Sequence, residues 1–122
     1  MINPAPTSAT LNVTGQPGIQ TEDLGDVQLS YLLYEGQGPP LIFMHATGFL
    51  PWMWHPVAKA LSSSYRIIAP HFCDHRDADP DQGGLSWMLL AEDIASLCRR
   101  IGVKNVFLVG HSMGATILTF AA

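Results

Sequence analysis

The sequence predicts an α/β fold, a mostly parallel sheet with flanking helices. Leu41-Ile42-Phe43-Met44 and Val106-Phe107-Leu108-Val109 are short, wholly apolar runs, as expected of strands covered on both faces. Between them, Trp87, Leu90, Ala91, Ile94, Leu97, Cys98 and Ile101 recur at helical spacing and trace one face of a long amphipathic helix. Strands alternating with helices in this way are the grammar of right-handed crossovers in a parallel sheet.

Residues 1–18, with three prolines and two glycines, read as a flexible leader. Ile19 to Leu24 is a short strand, and Gly25-Asp26 a hairpin-type turn. Val27 to Glu35 alternates Val27, Leu29, Tyr31 and Leu33 against Gln28, Ser30, Leu32 and Tyr34, which fits an antiparallel strand with one face better buried. A second turn spans Gly36 to Pro40, and the apolar strand Leu41 to Met44 follows. Trp54, Val57, Ala58 and Leu61 stand at helical spacing, with Pro56 tolerable only near the helix start. Arg66 to Ala69 is another short strand. The helix that begins near Trp87 is closed by Gly102, Val106 to Val109 forms a third buried strand, and a last helix starts at Met113.

The 122 residues suffice for one domain, and 48% hydrophobic against 13% charged residues describes a packed interior. Net charge is -4 and the six basic residues are dispersed, which argues against a nucleic-acid surface. Two cysteines, Cys73 and Cys98, form no spaced framework and are expected to be reduced. The N-terminus lacks a basic start and an apolar run, and no later stretch is long enough to span a bilayer. The default address is the cytoplasm.

Gly110-His111-Ser112-Met113-Gly114 lies between a strand and a helix and matches G-x-S-x-G. The spacing has a physical cause: a serine on a turn this sharp is lifted above the sheet edge at the cost of backbone strain. The residues two before and two after it nearly touch, so both must be small, and here both are glycine. The helix start beneath Ser112 adds partial positive charge where an oxyanion would form. A dinucleotide-binding turn fails on spacing, because Gly110 and Gly114 do not make G-x-G-x-x-G. Ser112 is therefore the candidate nucleophile.

Together with His45-Ala46-Thr47-Gly48-Phe49 directly after the strand Leu41 to Met44, this elbow resembles the α/β-hydrolase superfamily, in its esterase- and lipase-like branch. The resemblance covers residues 19–122 and includes the entry hairpin, the Trp54 to Leu61 helix, the strand end Ile67-Ile68-Ala69-Pro70 and the helix turn Ala91-Glu92-Asp93-Ile94. It implies a truncated α/β-hydrolase domain ending in the helix after the nucleophile elbow. It also implies an oxyanion hole built from the backbone N–H groups of Thr47 and Met113, each such donor typically worth about 3 kcal/mol in the transition state. His45 and His111 would support the loop and the elbow, with Phe49 and Trp52 lining the substrate pocket. Ala46 replaces the usual glycine after the histidine. The stretch His71-Phe72-Cys73-Asp74-His75-Arg76-Asp77-Ala78 departs from the family's Asp-x-x-Gly-His-Gly-x-Ser, which bears on the substrate rather than the class.

No cofactor or metal is implied. Asp77-Ala78-Asp79-Pro80-Asp81 begins like a calcium loop, but Gln82 stands where glycine is needed and Met88 where a bidentate Glu should be. His71, Cys73 and His75 lack a second cluster to complete four zinc ligands.

A serine hydroxyl needs a histidine to take its proton and a carboxylate to orient that histidine. In the family both follow the serine, yet only ten residues follow Ser112 and none is acidic or histidine. Two expectations result. Either a longer parent hydrolyses an ester-like small molecule through an acyl-serine, or these residues are a non-catalytic remnant that binds rather than reacts. Serine instead of aspartate at the elbow disfavours the dehalogenase and epoxide-hydrolase branches. Without further strands, 106–109 would form an apolar edge open to self-association, and the chain alone would have negligible turnover.

Overall fold

The computed structural model describes residues 16–72, 75–76 and 86–122. Of the expected leader, only residues 16–18 are among these, and Gly18 already opens the first strand. The strands are β1 (Gly18–Asp23), β2 (Gln28–Tyr34), β3 (Pro40–Met44), β4 (Arg66–Pro70) and β5 (Phe107–Gly110). The helices are α1 (His55–Leu61), preceded by a 3₁₀ turn at Pro51–Trp54, α2 (Trp87–Ile101) and α3 (Met113–Ala121).

The five strands form one sheet in the order β1-β2-β4-β3-β5. β2 is antiparallel to both β1 and β4, whereas β3 is parallel to β4 and β5. Four strands therefore share one direction, and only β2 opposes them. The α/β architecture is the one the sequence predicts.

Each apolar pattern has its own destination. One cluster joins Leu29, Tyr31, Leu33, Ile42, Met44 and Ile68 of the sheet to Leu90, Ala91, Ile94 and Leu97 of α2 and Ile117 and Leu118 of α3. The opposite cluster joins Leu32, Tyr34, Leu41, Phe43, Ile67 and Ala69 to Ala58 of α1. Phe43 stacks on Trp54, ring centroids 4.5 Å apart. The alternation in β2 thus does not separate a buried face from an open one: from Tyr31 onward both faces are covered, because α1 packs on the side opposite α2.

Helix α2 begins where the Ser86 hydroxyl accepts the Leu89 N–H and ends where Gly102 turns left-handed at φ 74. Trp87, counted on its apolar face, is 44% exposed at the first position. A larger correction concerns β5. Read as a buried strand, it has Phe107 55% and Leu108 38% exposed. Among the described residues it pairs with β3 alone, so its other edge lacks the cover that its composition suits.

Candidate active site

β3, β4 and β5 end side by side, and each runs straight into a histidine: His45, His71 and His111. From β3 the chain crosses to β4 on one flank, whereas β5 sits on the other flank of β3. Loops leaving neighbouring strands toward opposite faces open a crevice at their carboxyl ends, the usual ligand position in such sheets. The loop after β3 carries Thr47, and the turn after β5 carries Ser112.

Ser112 has φ 55 and ψ -117, outside the regions an L-residue favours. Such a backbone costs on the order of 1–3 kcal/mol and persists only when its surroundings enforce it. Here they do. A Cβ on Gly110 would collide with the backbone of Ala115 and Gly114, and one on Gly114 would stand 2.5 Å from the Met44 carbonyl oxygen and 2.7 Å from that of His45. The His111 N–H also donates to Met44 O at 3.0 Å. Met113 is the first residue of α3, so its N–H is one the helix itself does not use.

Facing this turn, Ala46 to Phe49 forms a β-turn closed by Phe49 N–H donating to Ala46 O at 3.1 Å, with Gly48 at φ 80. That positive φ is what a type II turn demands at its third position. The turn's bond leaves the Thr47 N–H unspent. Thr47 Oγ1 donates to Met113 Sδ at 3.0 Å, so the two proposed oxyanion residues meet. Phe49 is exposed, its ring edge-on to His111 with centroids 6.0 Å apart. His45 is buried, its Nδ1 2.9 Å from Ala46 O and its ring against Phe72 at 4.2 Å.

Trp52 is partly exposed and lines an apolar cavity of about 180 Å³ with Ile19, Tyr31, Leu32, Leu50 and His71. Its ring lies edge-on to His55, centroids 5.8 Å apart, and the His71 ring lies edge-on to His45 at 6.1 Å.

The sequence reading also missed Asp93, a carboxylate buried on the inner face of α2. Arg76 grips it with Nε at 2.7 Å and Nη2 at 2.8 Å, His75 Nε2 lies 2.7 Å from it, and Arg76 reaches Asp26 at 3.0 Å. Burial alone would raise the Asp93 pKa, but the hydrogen bonds and charges of Arg76 and His75 outweigh it and hold the carboxyl below its ordinary value. The available signal was an aspartate at Leu90 plus three on an otherwise apolar face, since buried carboxylates are almost always paired. Among the described residues no group of three His, Cys, Asp or Glu could hold a metal. The stretch 77–81 and Cys73 lie outside those residues, and Cys98 is a free thiol. No helix among the described residues is long and apolar enough to cross a membrane.

Residues 41–122 match the family model described as the alpha/beta hydrolase family. The chain belongs to that family. Among curated alpha/beta hydrolase relatives, it is 34% identical over 83 residues to epoxide hydrolase 2 of Siraitia grosvenorii, covering 66% of this chain and 26% of that protein. It is 31% identical over 93 residues to 2-(acetamidomethylene)succinate hydrolase of Mesorhizobium japonicum, covering 76% of this chain and 33% of that protein. The crystal structure of an E-2-(acetamidomethylene)succinate hydrolase superposes with a TM-score of 0.74 at 28% identity, over 87% of this chain and 39% of that one. The chain thus spans about a quarter to a third of the length of these curated relatives.

Proposed function

We propose that this alpha/beta hydrolase chain carries the nucleophilic half of a serine hydrolase that cleaves an ester-like bond through an acyl-serine at Ser112. The observation that carries the reading is the backbone of Ser112, held at φ 55 between two glycines that cannot bear a Cβ. Strain of this kind, enforced at the carboxyl ends of β3 and β5, leaves Ser112 exposed above the sheet.

In the proposed reaction Ser112 Oγ attacks the substrate carbonyl carbon while its proton passes to a histidine. The carbonyl electron pair moves onto oxygen, where the N–H groups of Thr47 and Met113 receive it. Collapse restores the carbonyl and expels the alcohol, which takes the proton back from the histidine. Water then attacks the Ser112 ester by the same steps in reverse. In the family the histidine and its carboxylate follow the serine in the sequence, and neither role is assigned among residues 1–122, where the His111 ring lies edge-on to that of Phe49.

The names of the relatives span epoxide opening and hydrolysis of an acetamidomethylene succinate. Elementary chemistry favours a carbonyl substrate for a serine. Attack of an alkoxide on an epoxide carbon would leave an ether, which water does not hydrolyse, whereas attack on a carbonyl leaves an ester that it does.

The test is fluorophosphonate labelling of the protein isolated from its native cell, followed by intact mass and peptide mapping. The expected result is a label on Ser112 in a species heavier than 13.3 kDa that is absent from Ser112→Ala. An unlabelled species of 13.3 kDa would overturn the reading and leave a non-catalytic remnant.

A further inference from the structure

Arg76 stands where the family pattern Asp-x-x-Gly-His-Gly-x-Ser has its second glycine. Its guanidinium donates to both oxygens of the buried Asp93 carboxylate, Nε at 2.7 Å and Nη2 at 2.8 Å, and Nη2 also reaches Asp26 at 3.0 Å. One side chain thus binds the chain after β4 to α2 and to the β1–β2 hairpin at once. We propose that Arg76 is a positioning residue: it fixes the chain after β4 so that Phe72 stays against His45, and through His45 it keeps the Ala46 to Phe49 turn in the geometry the oxyanion needs. The inference rests on the acyl-serine reading above.

A run of contacts carries the coupling. His45 Nδ1 lies 2.9 Å from Ala46 O, and since a carbonyl oxygen only accepts, that nitrogen carries the hydrogen. The same oxygen accepts the Phe49 N–H that closes the turn, so the placement of the His45 ring bears directly on the turn. That ring is buried against Phe72, centroids 4.2 Å apart. The chain bearing Phe72 is held on both sides. Before it, the His71 N–H donates to Ser30 O at 2.8 Å, which ties the end of β4 to β2. After it, Arg76 grips Asp93, and His75 Nε2 lies 2.7 Å from the same carboxylate. A glycine at position 76 has no side chain with which to make this hold. An arginine fork on a carboxylate fixes direction as well as distance, which a point charge does not. Catalytic geometry is sensitive to such a hold: a shift of about 1 Å caused far from the reacting atoms can cost on the order of a hundredfold in rate.

The experiment compares wild type, Arg76→Ala and Arg76→Lys in the active protein that the labelling experiment isolates, using p-nitrophenyl esters with and without millimolar guanidinium chloride. Free guanidinium can pair with Asp93 but cannot tie it to the chain after β4. Arg76→Ala should lose on the order of thirtyfold in kcat, with KM changed less than about threefold. Guanidinium should raise its melting temperature and leave that kcat low. Arg76→Lys keeps a tethered cation without the fork, and its kcat should lie between the two, about fivefold below wild type. If Arg76→Ala folds only with guanidinium present, its kcat there is the one compared. If it does not fold at all, Arg76→Lys decides, and a wild-type kcat in that variant overturns the proposal. A wild-type kcat in Arg76→Ala, or one restored by guanidinium, would overturn it too, because charge alone would then suffice. So would a loss confined to KM, or an Arg76→Lys enzyme no faster than Arg76→Ala. Wild-type protein inert to both ester and fluorophosphonate is a different result, since it removes the acyl-serine reading and this inference with it.

Discussion

The carbonyl oxygen of Met44 lies 2.5 Å from the point where a Cβ on Gly114 would stand. The same carbonyl accepts the His111 N–H at 3.0 Å, so the last residue of β3 grips the elbow on both sides of Ser112. The end of one strand thereby sets the geometry of the turn leaving its neighbour.

Gly114→Ala must push α3 away from β3, because the obstacle is backbone and cannot rotate aside. The expected cost is about 2 kcal/mol of stability, together with loss of Ser112 labelling. Urea unfolding and fluorophosphonate incorporation check the two parts, and a labelled, equally stable variant would contradict the packing argument.

Ser112→Gly tests the strain. Glycine adopts φ 55 freely, and the strain relieved outweighs the added freedom of the unfolded chain. The variant should be more stable than wild type by about 1 kcal/mol and wholly unlabelled. A thermal melt that shifts downward would show that the backbone of Ser112 stores no strain.

Asp93 makes stability depend on acid. Its folded pKa lies below the ordinary value of 3.8, so its stabilisation is full above the unfolded pKa and is lost as pH falls through the folded one. Asp93→Asn should cost about 3 kcal/mol near neutrality, by stranding Arg76 and His75, and the gap should narrow below about pH 4. Urea midpoints from pH 7 to pH 2 measure it; a constant gap would assign the loss to something other than charge.

Among the described residues no strand pairs with the outer edge of β5, and Phe107 and Leu108 are exposed beside it, which invites pairing. The isolated 122-residue polypeptide is expected to self-associate, and Phe107→Lys to reduce that association. Multi-angle light scattering checks both, and an unchanged mass distribution would place the contact elsewhere.

The sequence by itself determined every strand and helix described here, because each is written in a window shorter than twenty residues. Apolar runs, helical spacing, Ser86 and Gly102 are local signals that act on the backbone around them. The elbow was legible for the same reason: Gly110, Ser112 and Gly114 constrain one another within five positions. Tertiary structure decided what depends on distant neighbours. The partnership of Asp93 with Arg76 spans 17 positions, and that of Arg76 with Asp26 spans 50, so no local pattern announced either. Composition made β5 look buried, but burial is a property of what lies alongside, and among the described residues β3 is the one strand that pairs with it. Phe49 and Trp52, three residues apart, meet different distant partners, His111 for Phe49 and Ile19, Leu32 and His71 for Trp52, and no local pattern announces either set.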